Sequence, residues 1–468
     1  MKPSPDQALA AQLADPARGG RLSALVLELW QRTRMDWGFV TDRLATAFRR
    51  EKWVGAHERR FVGEVLYGLV RHLRRIDAAI ARGRRTQKPP RDLERLLALL
   101  VLERLIEPAR AAQAVPELDW RAVATVDEAI ATERRPAARI ALAASLPDWL
   151  AARLVADWGD EAEPLARALN QRAPMTVRAN LLVLGAPRAG AAAAAGAAAA
   201  EPAGINAREA LALELAGAGL ETRAGSWCDT ALIVESRTNL FSLDAFQRGA
   251  MEAQDEGSQL LADLATAGAG PRPLVVDLCA GAGGKTLAMA ARLGNRGRII
   301  ATDVDGKKLE ELRRRARRAT VSNAQTQLLE GGAWPPALDA LRGRADVVLV
   351  DAPCSGIGSL RRNPEARWRL READLPGFAA RQREILDGAA TLLAPGGRLV
   401  YATCTVLAVE NADVVAGFLG AHPELARVPL ERVLGARAAA LGTETSFTVA
   451  PHTHGTDGFF AAVMQRPA

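Results

Sequence analysis

The sequence predicts a doubly wound α/β domain at the carboxyl end, preceded by a small α+β subdomain and an all-helical amino-terminal region. Three observations predict it. From about residue 255 the chain alternates short apolar runs with helical patterns, as mostly parallel sheets flanked by helices do. Between about 20 and 150, each periodic stretch spaces its apolar residues three and four apart, which is the helical period. Between about 165 and 250 the two patterns mix.

Residues 1–20 read as a flexible start, broken by Pro3, Pro5 and Pro16. Asp6 and Asp15 stand where a signal peptide would be apolar. Residues 21–150 read as a helical bundle built from LSALVLELWQRT, VTDRLATAF, ERRFVGEVLYGLVRHLRRIDAAI, RDLERLLALLVLERLI and WRAVATVDEAIATE. Breakers such as Lys88-Pro89-Pro90 separate these segments. Arg59, Arg60, Arg71, Arg74 and Arg75 are read as lining solvated faces. Residues 165–250 form the subdomain, with strands in MTVRANLLVL and around TALIVES and an Ala/Gly-rich insertion at 185–204 that carries no assigned chemistry. In 255–468, PLVVDL, GRIIATD, ADVVLVD and GRLVYATC are buried parallel strands, each followed by a helical stretch. SFTVAP and DGFFAAVMQ close the sheet as an antiparallel pair.

Across 468 residues, 61 Lys and Arg against 54 Asp and Glu give a net charge of +7, which suits a polyanion such as RNA. Four cysteines, Cys228, Cys279, Cys354 and Cys404, are too few for a disulfide framework and point to a reducing cytoplasm. The five histidines do not pair with them at zinc spacing, so no metal is expected. The longest apolar tract, Ala191–Ala200, is alanine and glycine, so no membrane span is expected. A monomer is expected.

The first apolar strand runs into Asp277, Leu278, Cys279, Ala280, Gly281, Ala282, Gly283, Gly284, Lys285 and Thr286. Three glycines let the backbone turn tightly and offer bare amides to a ligand. Position 279, where a P-loop needs glycine, is cysteine; position 286, where a dinucleotide fingerprint needs glycine, is threonine. A nucleoside-binding turn remains. Asp303, ending the next strand, can accept hydrogen bonds from ribose hydroxyls.

Cys354 and Cys404 each follow a strand of the same sheet, so both thiols can converge on one pocket. Cys228 and Cys279 read as structural, Cys279 meeting a ligand through its backbone alone. Beside a methyl donor, a thiolate adding to carbon 6 of cytosine makes carbon 5 enamine-like and open to methyl transfer. A proton must then leave carbon 5 and the thiol must be eliminated. Asp351 is placed to stabilise the protonated nitrogen 3 of the activated ring, and a second thiol suggests help with release.

VDLCAGAGGKT, VDAPCSGIGSLRRNP and YATCTVLAVEN resemble the cofactor turn, Pro-Cys motif and Thr-Cys motif of the RsmB/Sun family of RNA cytosine-5 methyltransferases. The resemblance covers about 170 to 466, and ERRFVGEVLYGLVRHLRRID is similar to the NusB-like RNA-binding domain fused to the 16S rRNA enzymes. It implies a Rossmann-like S-adenosylmethionine domain, with Cys404 as nucleophile and Cys354 assisting release. DNA cytosine-5 methyltransferases use the Pro-Cys cysteine as nucleophile instead. The family's cofactor positions fall on Cys279 to Lys285, Asp303 and Asp351. Three departures stand out. Ala280-Gly281-Ala282-Gly283 lacks the family's proline, Gly332 stands where an acid is usual, with Glu330 near enough to replace it, and Thr405 replaces serine.

The target base must leave its stack to reach such a pocket. Arg361 and Arg362 read as holding a backbone phosphate, whereas Arg313, Arg314, Arg315, Arg317 and Arg318 read as solvated helix surface. Transfer RNA as substrate, or a non-catalytic RNA-binding assembly factor with a vestigial cofactor site, are the competing readings. An NAD-linked dehydrogenase fails the glycine test.

Overall fold

The apolar residues spaced three and four apart at the start of the chain fold as helices, among them Gly20–Asp36, Val40–Arg50, Ala56–Arg71, Leu73–Gly83 and Asp92–Leu102. Their inner faces bring Trp30, Leu66, Leu69, Ile76, Leu96 and Leu97 together, all fully buried. The computed structural model describes residues 4–15, 20–84, 88–185, 206–236, 238–330 and 334–468. It divides into a helical unit, Met1–Arg172 with Ser359–Asp374, and a second unit, Ala173–Gly358 with Leu375–Ala468. The Ala/Gly-rich stretch expected at 185–204 falls, beyond residue 185, outside the described residues.

Four features of the helical unit differ from the sequence reading. Part of the expected flexible start is the helix Pro5–Leu13, where Ser4 and Gln7 form a capping box and Ala10 and Leu13 are buried. The helical stretch from Glu58 to Ile80 breaks at His72, between Ala56–Arg71 and Leu73–Gly83. There Arg71 turns inward, donating to the carbonyls of Gln171 at 2.7 Å and Arg361 at 3.1 Å. Helices continue past residue 150, as Asp148–Trp158 and Ala162–Leu169. Finally, Arg71 is buried rather than on a solvated face, while Arg74 and Arg75 are half-buried. Arg74 donates to the Leu146 carbonyl at 2.7 Å, and Arg75 grips Asp127 through two bonds.

Ser359–Asp374 belongs to this unit although it lies far along the chain. Its Arg367 is fully buried, donating to the Ala144 carbonyl at 2.9 Å and to Asn170 Oδ1 at 2.8 Å. Burial pulls that guanidinium down to about 9, so it stays charged at neutral pH. The Trp368 indole donates to the Val70 carbonyl at 2.8 Å and packs 5.8 Å from the Trp37 ring.

The second unit holds two sheets. Strands β1 (Met175–Ala179), β2 (Thr222–Ala224), β3 (Ala231–Val234) and β4 (Met251–Ala253) form an antiparallel sheet in the order β2-β3-β1-β4. The remaining strands are β5 (Leu274–Asp277), β6 (Arg298–Asp303), β7 (Ala324–Leu328), β8 (Ala345–Asp351), β9 (Leu393–Thr403), β10 (Ala426–Arg427), β11 (Phe447–Val449) and β12 (Phe459–Gln465). They run in the order β10-β12-β9-β8-β5-β6-β7, with β11 on β12. β5 to β9 are parallel and β12 is antiparallel to β9. Along β9, Leu399 and Tyr401 face one apolar layer while Val400 and Ala402 face the other, so the strand is covered on both sides. β7 (AQTQL) is polar because it is the edge strand. The order reverses at β5, with β6 on one side and β8 on the other, and ligands bind at such a switch point beyond the carboxyl ends. No helix among the described residues is long and apolar enough to cross a membrane.

Candidate active site

At the end of β5 the chain makes a turn and enters the helix Gly284–Arg292. Gly283 adopts φ +88° and Gly281 φ +56°, conformations that side chains resist. A Cβ on Gly281 would meet nothing within 4 Å, whereas one on Gly283 would lie 2.5 Å from Leu312 Cγ. The first glycine therefore borders open space and the second is packed against the next helix. The Asp303 carboxylate, at the end of β6, accepts from the amides of Gly281 and Asp305 at 2.9 and 2.8 Å. Val304 beside it is 64% exposed, an apolar side chain left at the rim of the turn.

Two neighbours brace this turn. Arg315 donates to the Ala282 carbonyl at 2.7 Å and to Glu252 Oε2 at 3.0 Å. Glu252, buried on β4, also pairs with Arg318. Part of the arginine run is thus structural rather than solvated. Asp277 is fully buried under the turn, where burial pushes its carboxyl up to about 7 despite the Thr286 hydroxyl bonded at 2.7 Å. Cys279 is half-buried, and burial pushes its thiol up.

Lys285 reaches from the first turn of that helix to Asp351 Oδ2, 2.5 Å away at the end of β8. Its ammonium is drawn down by burial but held above its ordinary value by that carboxylate. Three residues beyond Asp351 stands Cys354, and Cys404 follows β9, the next strand. Their Sγ atoms lie 3.4 Å apart, and both cysteines are free and half-buried. The contact with Cys404, then burial, then the Glu410 carboxylate, hold the Cys354 thiol well above its ordinary value. A protonated Cys354 is a poor nucleophile and a ready donor to its neighbour.

The sequence model of the 16S rRNA methyltransferase RsmB/F family matches residues 270–465, and that of the family's ferredoxin-like domain matches 146–188. Ribosomal RNA small subunit methyltransferase B of Xanthomonas campestris pv. campestris is 31% identical over 424 residues, covering 87% of this chain and 89% of that one. This chain belongs to the RsmB/F methyltransferase family. The probable ribosomal RNA small subunit methyltransferase B of Synechocystis sp. is 28% identical, with 87% of this chain and 91% of its own covered. The crystal structure of PH0851 matches 99% of this chain and 100% of its own at 25% identity, with a TM-score of 0.71.

In this RsmB/F-family methyltransferase the fold gathers most of the residues singled out from the sequence. Cys354, Cys404, Asp351 and Lys285 share the β5–β8–β9 end of the sheet, and Asp303 closes the glycine turn on the β6 side. Arg361 departs from expectation. It is 6% exposed, inside the segment Ser359–Asp374 of the helical unit, because that segment packs among helices. It is not an exposed phosphate contact; Arg362 is half-buried. Glu330 is exposed, and Gly332 lies outside the described residues. The sequence reading passed over Gln382 and Glu410, buried residues that touch the loops carrying the thiols. Glu410 stands in the quoted Thr-Cys motif, yet nothing in the order of residues tells which loop it grips.

Proposed function

We propose that this chain methylates carbon 5 of a cytosine in 16S rRNA, with S-adenosylmethionine as donor. The observation that carries the reading is the 3.4 Å approach of two thiols from adjacent strand ends, one strand also ending in the lysine-paired Asp351. A single buried cysteine is ordinary; two at one ligand-binding sheet end are suited to addition and elimination on a ring.

The turn suits the donor. Gly281 borders open space, Asp303 turns its carboxylate toward the turn, and Val304 offers apolar surface. Residues Cys279 to Lys285 and Asp303 would hold it, with Asp351 at the strand end beyond. The donor, when bound, supplies an electrophilic methyl group. Cys404 adds to carbon 6, and Asp351 holds the proton on nitrogen 3, so that negative charge does not build up on the ring. After transfer the carbon 5 proton passes to water as the bond from carbon 6 to the Cys404 sulfur breaks, and Cys354 assists expulsion of that thiolate. Arg362 is read as a phosphate contact, and the helical unit as NusB-like and RNA-binding. The chain is read as cytoplasmic. The names of the relatives favour small-subunit rRNA over transfer RNA.

Incubation with labelled S-adenosylmethionine and unmodified 16S rRNA, followed by nucleoside analysis, is expected to yield 5-methylcytosine. Label on a ribose oxygen or on another base would overturn the reading, and transfer of label only to tRNA would move the substrate. The glycines provide a separate check. Gly281→Ala is expected to cost about 1 kcal/mol of stability, from backbone strain alone, while weakening S-adenosylmethionine binding. Gly283→Ala adds a collision with Leu312 and is expected to cost about 2–4 kcal/mol. Thermal melts and calorimetry separate the two; equal loss of stability in both variants contradicts the hollow at Gly281.

A further inference from the structure

The two cysteine loops are joined by a residue that touches neither sulfur. Glu410 ends the short turn Ala408–Glu410 that follows the Thr-Cys loop, and it is fully buried. Its Oε1 accepts from the Ser355 amide at 2.8 Å and from Gln382 Nε2 at 3.1 Å. Its Oε2 accepts from the Ser355 hydroxyl. Gln382 Nε2 also donates to the Pro353 carbonyl at 3.0 Å. Cys354 is therefore held at the residue before it and the residue after it, through one carboxylate and one amide.

Glu410 is itself anchored. Its carbonyl accepts from the fully buried Tyr401 hydroxyl on β9 at 2.6 Å. On the other loop, the Thr405 and Ser355 hydroxyls lie 3.0 Å apart, and Asn411 Nδ2 donates to the Thr405 carbonyl at 3.1 Å. The Asn411 carboxamide oxygen in turn accepts from the Thr403 hydroxyl at 2.6 Å. A buried carboxylate is costly unless its oxygens are satisfied. Here three donors satisfy it, and all three come from Ser355 and Gln382. A carboxylate whose donors are the Pro-Cys loop and a glutamine of the helix Leu375–Leu392, with no cation among them, is placed for geometry rather than for a charge partner.

We propose that Glu410 is a positioning residue for the two thiols: from the Thr-Cys side it grips the Pro-Cys loop and fixes Cys354 beside Cys404, so that its loss slows release of methylated RNA. The inference rests on the roles proposed above for the two cysteines. A thiol displaced by about 1 Å loses on the order of 10²-fold in rate, and the step affected is the one Cys354 serves. Addition by Cys404 survives, so the covalent protein–RNA species outlives its normal span.

The test compares full-length wild type, Cys354→Ala, Glu410→Ala and Glu410→Gln on unmodified 16S rRNA with S-adenosylmethionine. Covalent adduct is read on denaturing gels, together with kcat and the KM for the methyl donor. Glu410→Ala is expected to accumulate adduct as Cys354→Ala does, with kcat lower by about 10²-fold and KM within twofold. Glu410→Gln, which keeps an acceptor for the Ser355 amide, is expected to fall between alanine and wild type. Should Glu410→Ala fail to fold, Ser355→Ala removes the hydroxyl's contacts with Glu410 and Thr405, keeps the amide contact, and is read in the same way. Adduct in Cys354→Ala but none in Glu410→Ala or Ser355→Ala overturns the inference and leaves the proposed function standing. Absence of adduct in Cys354→Ala as well overturns the division of roles between the thiols, and this inference with it.

Discussion

Cys404→Ala is expected to lose methyl transfer by on the order of 10⁴-fold or more, the scale on which covalent catalysis fails without its nucleophile. With it goes the covalent complex formed on RNA carrying 5-fluorocytosine. Fluorine at carbon 5 cannot leave as a proton does, so an enzyme that adds to carbon 6 and transfers methyl is trapped before elimination. The substitution removes one half-buried sulfur and its contact with Cys354. The melting transition is therefore expected to stay within about 1 kcal/mol of wild type, and donor binding at the glycine turn is expected to persist. Denaturing gels and single-turnover assays read both effects. A variant that still forms the trapped complex, alongside a Cys354→Ala protein that does not, would reverse the two roles and sink the assignment.

Asp351→Asn is the second large effect, and it acts twice. The carboxylate is proposed to hold the proton on nitrogen 3 of the activated ring, and loss of such a group costs about 10²–10⁴-fold in rate. It is also the partner of Lys285, whose side chain is 12% exposed against 28% for the aspartate. Leaving a fully buried ammonium without its partner costs about 3–5 kcal/mol. The partial exposure of this pair lets water take up part of that, so about 2 kcal/mol is expected. Stopped assays and denaturant melts measure the two losses separately. Activity within fivefold of wild type would remove Asp351 from the chemistry, whatever happens to stability.

Much of this architecture is legible in the order of residues. The runs PLVVDL, GRIIATD, ADVVLVD and GRLVYATC became β5, β6, β8 and β9, because strands covered on both faces must be apolar throughout. The edge strand β7 carried no such run and was not seen. The antiparallel end was visible too, as β11 and β12. The convergence of Cys354 and Cys404 followed from both standing at neighbouring strand ends.

The arginines were the least legible. Arg71, Arg74, Arg315 and Arg361 look alike in sequence and read as solvent- or RNA-facing. In the fold Arg71, Arg74, Arg315 and Arg367 donate to main-chain carbonyls, and Arg361 is buried. Which carbonyl lies within reach of a long side chain is not a property of its neighbours in the chain. The same holds for the segment Ser359–Asp374, which joins helices that precede it by some two to three hundred residues.

The sequence by itself determined the classes of structure and the chemistry on offer: periodicity assigns helix or strand, a glycine-rich turn after a strand marks a candidate nucleoside site, and two strand-end thiols mark a candidate reaction. Those are local properties, carried by spacing along the chain. Tertiary structure alone decided that the sulfurs stand 3.4 Å apart, that a buried glutamate from one loop grips the other, and that Arg361 is inside. Each of these depends on residues brought together across tens or hundreds of positions, where packing rather than periodicity selects the partner.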